Sequence, residues 1–184
     1  MGRLHEDAAA RILRSGGVVA YPTEAVFGIG CLPNRREAVE RVLAIKGRSE
    51  RKGLVLIAAN VAQLAPYAAL PEGPRAAEVL ATWPGPVTWV LPAAPRAPRW
   101  ITGGRRTVAV RVTAHPVARR LCERAGSALV STSANRTGRR PLRSALEVRR
   151  LLGCEVDYVL PGPLGGLERP TTIRDAATGR ILRA

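Results

Sequence analysis

Only two of the chain's 29 basic residues are lysines, and both lie in the segment Lys46-Gly-Arg-Ser-Glu-Arg-Lys-Gly53. Arginine is the default cation of this Ala-, Gly-, Pro- and Arg-rich sequence, so a retained lysine marks a need for a compact ammonium rather than a planar guanidinium; chance placement is the competing explanation. Lys46, Arg48, Arg51 and Lys52, with Gly47 and Gly53 among them, have the composition of an anion-binding loop, and equally that of a solvated turn. A second cluster, Ser131-Thr-Ser-Ala-Asn135, follows the apolar run Ala128-Leu-Val130. In an extended chain Ser131, Ser133 and Asn135 project to one side, as two hydroxyls and an amide at a strand's C-terminal end. Ligands bind there in α/β sheets, although a polar turn has the same composition. The third feature is Arg111, which shares a strand face with Thr107 and Ala109. A lone cation in an apolar strand is either an anion ligand or one half of a structural ion pair.

Other chemistries find no support. The sequence contains no G-x-G-x-x-G, no Walker A and no G-x-S-x-G, so a nucleotide would have to bind by another route and a serine nucleophile is not expected. His115 has no neighbouring histidine, cysteine or carboxylate and reads as a helix-start residue. Cys31, Cys122 and Cys154 are widely spaced and odd in number, which argues against a disulfide framework or a zinc site and for buried free thiols.

Placing these groups is the task of one domain, 1–184, with 46% hydrophobic residues to build its core. The formal charge of +15 requires acids to be scarce as well as arginine to be common, and it points to polyanionic partners: nucleotide, nucleic acid or both. Seven aromatic residues supply a stacking platform for single-stranded RNA poorly. The N-terminus lacks a basic-then-apolar signal, and the longest apolar region, 54–70, is broken by Asn60, Gln63 and Pro66, so a cytoplasmic protein without a membrane segment is expected.

Periodicity predicts a helix over 4–15, a buried strand over 18–21 ended by Pro22, and a Gly-containing loop through Gly30. Asn34 and Glu37 signal a helix that runs into Lys46, and Leu54–Ala59 is a buried strand, so the lysine loop is framed by rigid elements. A cation at that helix end also satisfies the helix dipole, a structural reason for Lys46 that owes nothing to catalysis. Asn60 caps a short helix, 74–83 forms another, and Trp83-Pro-Gly-Pro86 stops it. Strands follow at 87–91, 107–112, 128–130 and 158–160, with a Pro-containing connection at 95–104, helices after His115-Pro116 and Ser144, and a closing hairpin over 171–183. The fold class is α/β: a single twisted mixed sheet flanked by helices.

The motifs resemble those of the YrdC/Sua5 family, in particular its short, single-domain TsaC-type branch. The resemblance is carried by Ala20–Gly28, Lys46-Gly-Arg48, Lys52–Ala58, Trp83–Thr88, Pro98–Gly103, Val108–Val112 and Ser131–Asn135, and so covers nearly the whole chain. It implies a YrdC-like fold with a basic concave face. The activity it implies is L-threonylcarbamoyladenylate synthesis from L-threonine, bicarbonate or CO2, and ATP, with Mg2+ accompanying the nucleotide and pyrophosphate leaving. The product would serve tRNA modification through partners of the TsaB, TsaD and TsaE type, with direct binding of tRNA or double-stranded RNA a further expectation. The family's K-x-R and S-x-N groups correspond to Lys46, Arg48, Ser133 and Asn135, its threonine pocket to Thr23, Arg111 and Thr171, and its nucleotide contacts to Thr107 and Arg183, while Lys52 and Ser131 take supporting contacts. Ser49 departs from the proline usual after K-x-R, and the second C-terminal domain of Sua5 proteins is absent. The rival from another class is a non-catalytic RNA-binding or ribosomal RNA maturation factor.

Overall fold

The computed structural model describes residues 2–183. One helix, α1 (Gly2–Arg14), precedes a hairpin of β1 (Val19–Pro22) and β2 (Phe27–Gly30). Next come α2 (Arg36–Lys46), β3 (Val55–Ala58), α3 (Gly73–Ala81), β4 (Val87–Pro92), the single-turn α4 (Arg99–Thr102) and β5 (Thr107–Val112). The chain continues through α5 (Pro116–Ala125), β6 (Leu129–Ser133), α6 (Ala145–Leu152), β7 (Tyr158–Val159), β8 (Thr172–Asp175) and β9 (Ile181–Arg183). The nine strands form one sheet in the order β7-β1-β2-β6-β3-β5-β4-β8-β9. It is mixed: β1–β7, β3–β5 and β4–β8 run parallel, and the other neighbours antiparallel.

Side-chain alternation gives the sheet two differently used faces. Leu56, Ala58, Trp89, Leu91, Val108, Val110 and Val130 point into a core shared with Val39 and Val42 of α2, Val79 of α3 and Val148 of α6. On the opposite face Val19, Tyr21, Ile57 and Leu129 pack beneath α1 and α5 through Leu13, Leu121 and Ala118. The same face carries Val55, Thr88, Arg111, Ser131 and Ser133, which line a cleft instead of a core.

Four local expectations change. The segment Phe27–Gly30 is a strand rather than a loop, because β1 and β6 pair with it on either side. Gly30 is needed for close packing, since a Cβ there would stand 1.8 Å from the Val130 carbonyl oxygen. Asn34 is not the cap of α2: that position falls to Arg35, with no side-chain cap. Within the 95–104 connection Arg99–Thr102 makes a helical turn, and Cys154 is exposed while Cys31 and Cys122 are buried. The Ser144/Glu147 capping box forms as its spacing predicts, and His115 caps α5.

Candidate active site

Thr23, Lys46, Arg48, Arg111, Ser131, Ser133, Asn135, Thr171 and Arg183 all line one cleft of about 360 Å3. Lys52 is exposed and lies outside it, and so does Thr107, at the far end of β5 from Arg111. Strand direction is the reason for the second difference: the register that brings Arg111 to the cleft carries Thr107 to the other end of the ladder, opposite Pro92. The sequence pattern placed both threonine and arginine on one face, but a face does not specify an end.

Lys46 ends α2, where Gly47 adopts the left-handed conformation (φ 57°) and lets Arg48 N return to Leu43 O at 3.0 Å. The ammonium is buried, and donates to Ser133 O (2.5 Å), Asn135 Oδ1 (2.6 Å) and, less closely, Ser133 Oγ (3.2 Å). Ser133 Oγ donates to Asn135 Oδ1 at 2.6 Å, and Asn135 Nδ2 donates to the carbonyls of Arg136 and Arg139. The two halves anticipated from sequence therefore meet as one mutually bonded unit. Thr137 locks it from behind, its N and Oγ1 both donating to Lys46 O at 2.8 Å. Sequence reasoning missed Thr137, although a threonine two residues beyond Asn135 in a polar turn was the available signal.

The rest of the loop is braced by α4. Leu54 N donates to Ile101 O (2.9 Å), and Trp100 Nε1 donates to Pro33 O (2.9 Å). Ser49 has φ −66° and its Oγ accepts from Arg51 N, capping the 3-10 turn Glu50–Lys52. That backbone angle is the one proline imposes, so the turn keeps its shape with a side-chain cap in proline's place. Arg48 donates to Gly53 O at 3.0 Å, while its buried Nε has no partner.

Arg111 resolves into an ion pair that still faces the cleft. Its Nη2 lies 3.0 Å from Glu24 Oε2, with both side chains less than 10% exposed (6% and 8%), and Nη1 donates to Thr171 Oγ1 at 2.6 Å. Glu24 Oε1 also accepts from Thr113 Oγ1 at 2.6 Å. Glu24 was overlooked in the sequence, where its place directly after Thr23 in an acid-poor chain was the clue. Thr23 itself donates to Val26 O at 2.7 Å, so its hydroxyl meets a ligand as an acceptor. The Gly/Pro loop 161–170 is stitched to the same corner: Gly165 N donates to Thr23 O and Leu167 N to Glu24 O.

Electrostatically the cleft favours anions. Among the described residues no acidic side chain lines it, and burial plus the neighbouring Arg48 push Lys46 down to about 8. Arg48 is lowered by burial and by Arg105, and Arg183 by burial and by Arg111 and Arg48. Arg183 Nη2 donates to Thr171 O at 2.8 Å, so the closing hairpin contributes a further guanidinium. Buried cations that repel one another are stabilised by an anion. Among the described residues no three His, Cys, Asp or Glu side chains gather as a metal site, and no helix is long and apolar enough to cross a membrane.

The class so defined is an α/β protein with a mixed sheet and a cation-lined cleft on one face of it. Residues 11–184 match the Sua5/YciO/YrdC family, described as "Telomere recombination", and the chain belongs to that family. It is 62% identical over 175 residues to the threonylcarbamoyl-AMP synthase of Halorhodospira halophila, covering 95% of this chain and 92% of the relative. The enzyme of the same name from Alkalilimnicola ehrlichii is 58% identical over 181 residues, 97% of this chain and 94% of that one. Among solved structures, P. abyssi Sua5 complexed with L-threonine is 36% identical with a TM-score of 0.87, over 97% of this chain and 53% of that longer protein. E. coli YciO is 28% identical with a TM-score of 0.81, over 95% and 84% of the two chains.

Proposed function

We propose that this chain is an ATP-dependent nucleotidyltransferase that forms L-threonylcarbamoyladenylate and pyrophosphate from L-threonine, bicarbonate or CO2, and ATP, and so serves tRNA modification. The observation that carries the reading is the gathering of Arg111, Lys46, Arg48 and Arg183 in one cleft, which suits a substrate that carries both a carboxylate and phosphates. The names of the relatives and the threonine complex of the P. abyssi protein support it.

Arg111 takes the amino-acid carboxylate, and Glu24 and Thr171 fix its guanidinium plane. Thr23 accepts a hydrogen bond from the amino acid's hydroxyl or amine. The neutral amine adds to CO2 and gives a carbamate and a proton; a carbamate oxygen then attacks the α-phosphorus of ATP and the bond to pyrophosphate breaks. All reactants carry negative charge, so neutralisation and alignment are the main demands. Arg48 lines the cleft and supplies guanidinium charge to a phosphate oxygen. Lys46 keeps Ser133 and Asn135 in place while supplying the charge, and a phosphate oxygen displaces its longest contact, the 3.2 Å bond to Ser133 Oγ. The hydroxyl- and amide-rich lining suits Mg2+ that arrives on the ATP phosphates rather than in a carboxylate cage, and it supplies further neutralisation of the leaving pyrophosphate.

The test is pyrophosphate release measured with ATP, bicarbonate and L-threonine together and with each omitted. Release that requires all three is expected. Salt-sensitive binding of tRNA or double-stranded RNA without turnover overturns the reading in favour of an RNA-binding factor. Handover of the adenylate to partner proteins of the TsaB, TsaD and TsaE type is part of the same proposal, tested by transfer of threonine-derived label to tRNA in their presence.

A further inference from the structure

Among the described residues the buried side-chain atoms without a hydrogen-bond partner belong to charged groups: Glu6 Oε2, Glu24 Oε2 and the Nε atoms of Arg48, Arg111 and Arg174. The buried threonines Thr23, Thr102 and Thr113 donate to Val26 O, Arg99 O and Glu24 Oε1, and the buried charged groups Glu24, Lys46 and Arg111 are bonded as described. Thr88 is only 1% exposed, and its hydroxyl takes part in none of the side-chain hydrogen bonds that hold the other buried threonines. It lines the cleft. A hydroxyl at the cleft wall that no side-chain hydrogen bond holds is free to donate to a group that enters the cleft.

Its place in the sheet identifies that group. Trp89 pairs with Val110 and both point into the core, so Thr88 and Arg111, the next residues on each strand, fall side by side on the cleft face. On its other flank Thr88 pairs with Ile173, a cleft residue two positions from Thr171. Arg111 gives one hydrogen of Nη1 to Thr171 and faces Glu24 through Nη2, and each of these nitrogens carries a second hydrogen. A carboxylate held by Arg111 has more lone pairs than one guanidinium edge uses, and the adjacent hydroxyl is placed to donate to one of them.

We infer that Thr88 is a substrate-binding residue whose hydroxyl donates to the amino-acid carboxylate that Arg111 holds. This rests on the reading of the cleft as an amino-acid site. Thr88→Val keeps the β-branched shape and removes only the hydroxyl; Thr88→Ser keeps the hydroxyl and removes the methyl. Calorimetry with L-threonine, together with steady-state pyrophosphate release, separates the possibilities. Thr88→Val is expected to weaken L-threonine binding and raise its KM by roughly tenfold or more, the range for a hydrogen bond to a charged group, with kcat changed by less than about twofold. Thr88→Ser is expected to stay within about threefold of wild type. Unchanged threonine affinity in Thr88→Val, or a loss in Thr88→Ser that Val does not share, overturns the inference and leaves Thr88 a packing residue. Wild-type protein that binds no L-threonine overturns the amino-acid reading itself, a result separate from a wild-type site that binds threonine and tolerates valine.

Discussion

Lys46 illustrates how one side chain can hold a site together and charge it at once. Its three hydrogens are all engaged, so Lys46→Ala removes a cation and frees Ser133 and Asn135 together. Adenylate formation is expected to fall by roughly 100-fold or more, and Arg48→Ala by a similar factor, in a pyrophosphate-release assay. Near-normal turnover in both variants rejects the assignment. A pH profile offers an independent check. Burial lowers Lys46 from the ordinary lysine value of 10.5 to about 8, so its cation is lost as pH rises through about 8, and kcat/KM is expected to decline above that pH. The stability contribution has the opposite sign. Between about 8 and 10.5 the unfolded chain holds a proton that the folded one does not, so this group favours folding increasingly as pH rises through that window. The residue types of the lysine loop and of Ser131–Asn135 were legible in the sequence; their saturation of one another was not, because hydrogen-bond partners 87 and 89 residues apart depend on the fold.

At the scale of elements, α2, β6 and the braced turn between Lys46 and Gly53 decide how well the site is held. Helices and central strands were readable from periodicity and capping signals, as at Ser144 and Glu147, whereas β2 was not, since Phe27-Gly-Ile-Gly30 carries the glycines of a loop. Sheet pairing overrode that local composition. Gly30→Ala is therefore expected to cost about 3 kcal/mol or more in chemical denaturation, because the added methyl meets the Val130 carbonyl across β2 and β6. Ser49→Pro should do the reverse. The native φ of −66° suits proline, so a gain of about 0.4–1 kcal/mol from a stiffer unfolded chain is expected, with activity retained. A loss of stability there would indicate that the Ser49 cap matters more than chain stiffness.

Across the whole molecule, charge and topology act together. The net charge of +15 and the absence, among the described residues, of acidic side chains from the cleft lining give anionic substrates a field as well as contacts, so kcat/KM for ATP is expected to drop steeply with added salt while kcat changes little. Glu24, a carboxylate that pairs with a cleft cation, is bonded by Arg111 and Thr113. Glu24→Ala is expected to destabilise the fold by about 3–5 kcal/mol, read from urea unfolding, because it strands a buried guanidinium. The sequence made the α/β class and a mixed sheet legible, but not the end of β5 that forms the site, since strand order is set by long-range pairing. That order also bears on synthesis. The stretch 171–183, which supplies Thr171 and Arg183 to the cleft, forms the last hairpin of the sheet and docks onto β4, made some eighty residues earlier. A nascent chain can assemble the strands from β7 to β4 while that side of the cleft is still missing. Competence to hold substrate would then switch on late in translation, and ribosome-bound chains stalled with residues 1–170 clear of the exit tunnel should fold most of the sheet yet release no pyrophosphate.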